Sequence, residues 1–308
     1  MAQIFAALVP VFLIIALGGL LKRRRLLDQS VWDGVEQLTF YLLLPALLIV
    51  KIGGAEVPGT DMLPLFATLF AVTALVCGVV LVLRPGVAWD GPVFASVAQG
   101  MVRPNSYVGL AAAYALYGDA GLTLAAVCLL AVLPLVNLYS VYVHYRWVSG
   151  ASDEAAPVAK AARESLRNPI FVGCLVGAFL NLSGFGLPPL VGEVLTILGQ
   201  AALALGLLAV GAGLELRALR VAGLPAATSV AVKLAVLPVL AVIASGLFGV
   251  SGLAVSIAVL FAALPVAPSS FIMARQLGGD GELMAAIVAL STLLAMATLP
   301  LVVWSLGP

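Results

Sequence analysis

The sequence has 308 residues, of which 63% are hydrophobic and only 9% charged, with a formal net charge of +1. A water-facing globular surface needs roughly 25% charged residues, so this composition, with a mean hydropathy of +1.18, excludes a soluble domain and makes lipid the solvent. At about 20 apolar residues per spanning helix, the chain has room for roughly ten spans.

Apolar runs bounded by glycine, proline and charge predict spans over 3–21, 35–52, 61–83, 91–117, 120–146, 168–185, 189–214, 222–248, 251–275 and 282–305. The first is read as an uncleaved span with its N-terminus outside. Its apolar run, Ile4 to Leu21, precedes Lys22, Arg23, Arg24 and Arg25, the reverse of a secretory signal. Segment 28–34, DQSVWDG, reads as a short interfacial turn or helix, and 147–167 is the one sizeable polar connection. With ten spans and both termini outside, twelve of the fifteen basic residues fall in cytoplasmic connections: Lys22, Arg23, Arg24, Arg25, Arg84, Arg146, Lys160, Arg163, Arg167, Arg217, Arg220 and Arg275. Lys51 lies at an outer connection, and Arg103 and Lys233 lie within spans. Cys77, Cys128 and Cys174 sit in apolar segments without disulfide or metal spacing and read as small packing residues. The single histidine, His144, reads as interfacial.

The two halves echo each other. LPLV recurs at 133–136 and 299–302, RPNSY at 103–107 matches APSSF at 267–271, and each of the latter is followed by a Gly-Asp pair, Gly118-Asp119 and Gly279-Asp280. The predicted organisation is therefore a first five-helix repeat over 1–146, a cytoplasmic linker over 147–167 and a second five-helix repeat over 168–308. Five is odd, so the second repeat is inverted, as in many secondary transporters.

Both repeats carry proline in the middle of their fourth span, Pro104 in the first and Pro265 with Pro268 in the second. Proline lacks the backbone donor and clashes with the preceding turn, so each helix is expected to break. Paired breaks at membrane depth are tolerated where they line a cavity, and they are the best sequence pointer to a midplane binding site. Each second half-helix starts just after its proline, so its N-terminal N–H groups favour an anion. Asn105, Ser106, Ser269 and Ser270 are N-cap types that could cap these helices or contact a ligand. Arg103 and Lys233 are the two deep cations, while the carboxylates map to span ends. A cation at that depth costs at least ~2.5–3.5 kcal/mol on insertion scales, which makes both functional candidates and gives a site that calls for an anion. Arg103 could instead bond the carbonyls freed by Pro104. Lys233 could brace the ninth-span break, turn toward Gln200 or Asn137, or carry a proton. Candidate binding residues are thus Arg103, Pro104, Asn105, Ser106, Lys233, Pro268, Ser269 and Ser270. No phosphate loop, metal spacing, nucleophile elbow or basic nucleic-acid surface is present, so no enzyme, cofactor or nucleic-acid partner is expected.

RPNSYVGL and APSSFIMARQLGGD, together with FLIIALGGLLKRRRLLDQSVWDGVEQLTFYLLLPALLI near the N-terminus and Lys233-Leu-Ala-Val-Leu-Pro238, resemble the auxin efflux carrier family of membrane transporters across nearly the whole chain. That resemblance implies an all-α integral membrane protein of ten transmembrane helices in two inverted five-helix repeats, with broken helices 4 and 9 crossing. It further implies a small organic anion as substrate, an elevator motion, a scaffold of helices 1, 2, 6 and 7 that can form a homodimer, and residence in the inner membrane. Asn105 occupies the position of the asparagine beside the crossover proline in the plant carriers. The chain differs from those carriers in having only about twenty residues in its central loop and no deep acidic residue in its third span. Coupling to protons or sodium is left open. The competing expectations are a cation/proton antiporter, which would need a deep carboxylate, and a non-transporting membrane sensor.

Overall fold

A computed structural model describes residues 2–55, 59–149, 163 and 167–306. The linker expected over 147–167 falls mostly on 150–162 and 164–166, outside the described residues. Among the described residues the secondary structure is helical throughout, apart from one isolated bridge between Pro104 and Val266.

In chain order the helices are α1 Ala2–Arg23, α2 Gln29–Leu38, α3 Leu44–Gly53, α4 Gly59–Leu83, α5 Gly91–Val102 and α6 Ser106–Trp147. They continue with α7 Pro169–Ser183, α8 Pro189–Ala212, α9 Leu224–Ala231, α10 Leu237–Leu247, α11 Leu253–Ala262, α12 Ser269–Gln276 and α13 Gly281–Ser305. Among the described residues, seven helical stretches are long and apolar enough to cross a membrane, and α7 and α11 are shorter apolar helices. One of the seven, α6, is two helices in series: Gly118 breaks it with φ 61° and ψ −149°. That left-handed φ is open to glycine at no steric cost, which is why the expected corner falls on the Gly118-Asp119 pair.

Two helices change pitch where proline enters. Between α2 and α3, residues Thr39–Leu43 form a π-turn just before Pro45, and between α9 and α10, Val232–Val236 form another just before Pro238. Proline offers no N–H to the carbonyl four residues back and collides with it. The wider turn relieves both problems, so α2–α3 and α9–α10 each run on as one helix rather than breaking. Of the two forms expected for segment 28–34, a short turn or a helix, the structure has the helix. From Gln29 the segment is the start of the helix that continues to Gly53, and Trp32 is buried against its neighbours. Four polar caps are used: Asp90, Asn105, Asn168 and Asp280 each accept a backbone N–H in the first turn of the helix they precede, whereas Asp28 before α2 makes no side-chain cap bond.

The helices pack in two sets. One consists of α1, α2–α3, α7 and α8, with α3 wedged between α7 and α8 and α1 against α8. The other gathers α4, α5, α6, α9–α10, α11, α12 and α13. The pair α1–α8 is joined backbone to backbone. A Cβ on Gly18 would strike the Leu208 carbonyl, and one on Gly211 would strike that of Ile15. Such close approach through small residues is how helices associate in lipid, where tail contact offers no hydrophobic driving force. His144 is fully buried among helices near the end of α6, with Nδ1 in a 2.7 Å hydrogen bond to the Ser140 carbonyl.

Candidate functional site

Proline 104 ends α5 at Val102, and the chain runs extended through Arg103 to Asn105 before α6 begins at Ser106. In the other half, α11 stops at Ala262, residues 263–268 are non-helical, and α12 begins at Ser269. The two gaps lie against each other. The Asn105 N–H donates to the Pro265 carbonyl at 2.9 Å, and Pro104 and Val266 form an antiparallel bridge. The Val266 N–H is taken up by Ser291 Oγ at 3.0 Å from α13. Unwound backbone in a membrane interior must find such partners, because an unsatisfied group costs several kcal/mol there. Each break therefore supplies part of what the other lacks.

Asn105 is 0% exposed. Its Oδ1 accepts the Val108 N–H at 3.3 Å, capping α6, while its Nδ2 has no hydrogen-bond partner among the described residues. One half of the side chain is structural and the other half remains a donor. Ser270 Oγ, also buried, is likewise without a partner among the described residues. Ser106 and Ser269 are half-buried at the starts of α6 and α12, and no side chain caps α12.

Two cavities flank α12 and share Asp33, Glu36, Phe40, Ser269 and Ile272 in their walls. The first, about 470 Å³, reaches Asn105, Ser106, Tyr107 and Pro268, with Lys22, Glu215 and Arg275 on its walls. The second, about 590 Å³, reaches Arg103, Asn137 and Arg167. Both fall in the size range of small-molecule sites. Arg103 Nη1 donates to Asn137 Oδ1 at 2.9 Å and to Met273 Sδ at 3.3 Å, which ties the first break to the middle of the α6 helix pair and to α12. Asn137, considered from sequence as a partner of Lys233, is thus the partner of Arg103.

Lys233 lies apart from both cavities. It is 1% exposed, and its ammonium donates to the Ala262 carbonyl at 2.8 Å, at the last residue of α11. That carbonyl sits at the negative end of a broken helix, where a cation is favoured. A void of only about 10 Å³ adjoins it, bounded in part by Pro104, Thr73 and Phe261. Of the candidate residues, Asn105, Ser106, Pro268 and Ser269 meet in one cavity, Arg103 shares the second with Ser269, and Lys233 stands behind the break.

Three wall residues escaped the sequence reading. Asp33 and Glu36 lie one turn apart on α2 and face both cavities, and Tyr107 follows Ser106 on the wall of the smaller one. From sequence alone Glu36 maps to the end of a span that begins at 35, and Asp33 to the segment 28–34 that precedes it. The signal that would have found them is their three-residue spacing on a strongly amphipathic α2.

The sequence profile of a family described as "Membrane transport protein" matches residues 3–303. A protein of Rhizobium meliloti (strain 1021) named "Putative malonate transporter" is 29% identical over 315 aligned positions, covering 97% of this chain and 94% of the relative. An "Uncharacterized transporter" of Methanothermobacter thermautotrophicus is 24% identical over 299 positions, covering 96% and 95%. These names point to a membrane transporter rather than an enzyme. The chain is a multi-pass membrane protein and belongs to the membrane transport protein family, the auxin efflux carrier family that its motifs resemble.

Proposed function

We propose that the protein is a secondary transporter of a small organic anion, a mono- or dicarboxylate, binding where the two broken helices meet. The observation that carries this reading is the backbone pairing of the two breaks beside a cavity lined by Asn105, Ser106 and Ser269, with Asn105 Nδ2 buried and without a hydrogen-bond partner among the described residues. Two helix N-termini and unpaired donors suit carboxylate oxygens, and Arg103, Lys22 and Arg275 add positive potential. The malonate named for the Rhizobium relative belongs to this chemical class.

Counted with each broken helix as one span, the helices number ten: α1, α2–α3, α4, α5 with the first half of α6, its second half, α7, α8, α9–α10, α11–α12 and α13. Five precede the linker and five follow, with the breaks in the fourth of each set, as an inverted repeat requires. The lysine and arginine asymmetry supports an inner-membrane orientation with both termini on the periplasmic side. Lys22, Arg167 and Arg275 then mark the cytoplasmic mouth of the two cavities, and the state described is inward-facing. In this reading α1, α2–α3, α7 and α8 are the scaffold and dimer-forming set, and the other helices carry the site past it in an elevator motion.

A second reading, cation/proton antiport, is favoured by one observation: Asp33 and Glu36 line both cavities. A thermal-shift screen of the detergent-purified protein against small carboxylates, other anions and monovalent cations at several pH values separates the two. Stabilisation by a subset of carboxylates, lost in Asn105→Ala, supports anion transport. Stabilisation by sodium or pH alone supports the antiporter and refutes the anion site.

A further inference from the structure

A third cavity, about 810 Å³, lies between α1, the C-terminal end of α8 and α13, and shares only Lys22 and Glu215 with the smaller cavity of the proposed transport site. Its two ends differ in chemistry. Phe12, Ile15, Ala16, Leu293 and Met296 make the deep end apolar, while Lys22, Arg23, Arg25 and Arg217 gather at the mouth. Only one carboxylate, Glu215, faces them, and its oxygen is 3.9 Å from the Lys22 ammonium. No carboxylate among the described residues pairs with Arg23, Arg25 or Arg217. From Lys22 back to Phe12 is ten residues of helix, about 15 Å, which is half of the ~30 Å hydrocarbon thickness of a bilayer. Leu293 and Met296 are exposed, so the apolar end opens sideways.

We propose that this groove is a binding site for one anionic phospholipid, its phosphate held by Arg23, Arg25 and Arg217 and an acyl chain laid along Phe12, Ala16 and Met296. Charge selects the headgroup, because guanidinium groups recognise phosphate by paired hydrogen bonds and basic pockets at the ends of spans attract anionic lipids. Depth selects a lipid over a soluble anion, since a free phosphate would leave the apolar end unfilled. The groove lies on the seam between the two helix sets, α1 and α8 on one side and α13 on the other, so the bound lipid touches both.

The test uses purified protein in detergent with phosphatidylglycerol, phosphatidylcholine or glycerol 3-phosphate added, read by native mass spectrometry and by thermal shift. Phosphatidylglycerol is expected to bind at least tenfold more tightly than phosphatidylcholine, and glycerol 3-phosphate to leave the melting temperature unchanged. R23Q/R217Q removes two exposed headgroup contacts and is expected to weaken phosphatidylglycerol binding by roughly tenfold or more. A16F, or M296W should A16F fold poorly, fills the chain end and is expected to do the same. Neither Arg23 nor Arg217 lines the cavities at the helix breaks, so failure here is independent of the transport reading. Equal binding of the two lipids, an equal effect of glycerol 3-phosphate, or wild-type binding by the variants overturns the proposal.

Discussion

Replacing Asn105 by serine separates the two jobs of its side chain. The carbonyl oxygen caps α6 through the Val108 N–H, and the amide nitrogen, without a partner among the described residues, is the donor we assign to the ligand. Serine is also a good N-cap, so Asn105→Ser retains most of the capping energy, whereas Asn105→Ala forfeits about 0.5–2 kcal/mol of it. Serine is too short to reach where the amide points, so the ligand loses one hydrogen bond to a charged oxygen. Such bonds contribute about 1.5–3 kcal/mol, which corresponds to a roughly tenfold to hundredfold weaker dissociation constant. Calorimetric titration of a binding carboxylate into wild type, Asn105→Ser and Asn105→Ala, with melting temperatures in parallel, checks the partition. The expected pattern is a near-native melting temperature with weakened binding for serine, and losses of both for alanine. Native affinity in Asn105→Ser would refute the assignment of Nδ2 to the ligand.

Other consequences concern the neighbouring charges and the helix seam. Lys233→Met removes a fully buried cation whose hydrogen-bond partner is the Ala262 carbonyl. Desolvating a lone cation costs several kcal/mol, so the variant is expected to melt at or above the wild-type temperature while transport falls more than tenfold in proteoliposomes. Glu36→Gln removes a negative charge from both cavities. Carboxylate binding at pH 7.5 is expected to tighten several-fold. Calorimetric titration of wild type and variant at pH 7.5 measures that difference. Gly206→Ala drives a methyl into the Tyr107 ring, one wall of the smaller cavity. Ligand affinity is expected to fall in titration, with about 1–3 kcal/mol lost from stability. Gly211→Val forces α1 and α8 apart at the Ile15 carbonyl, and its melting temperature is expected to fall by more than that of any cavity-wall variant.

Much of the helical layout was legible because it follows from composition and backbone chemistry. The apolar runs end where glycine, proline and charge end them, and the breaks at Pro104 and at 263–268 follow from the missing proline donor. Proline also shows where such reading fails. Pro45 and Pro238 sit in equally apolar helices yet are absorbed by π-turns, because nothing in a single local sequence says whether a helix will widen or part. The partner of Lys233, 29 residues away at Ala262, depends on where α11 stops relative to α9–α10, a tertiary fact. The sequence places Glu36 at a span end and Asp33 in the interfacial segment before it. That both also form cavity walls depends on where α2 lies relative to α12, a tertiary fact that a span boundary does not contain. The site we propose for the anion is consequently of mixed charge rather than purely cationic.

The most direct test of the central claim is counterflow of a radiolabelled small carboxylate, malonate first, in proteoliposomes made with wild type and Asn105→Ser. The account predicts saturable uptake driven by unlabelled carboxylate inside, reduced by a factor of ten or more in the variant. Absence of uptake for every carboxylate tried, alongside sodium- or proton-driven cation flux by the same preparation, would contradict it.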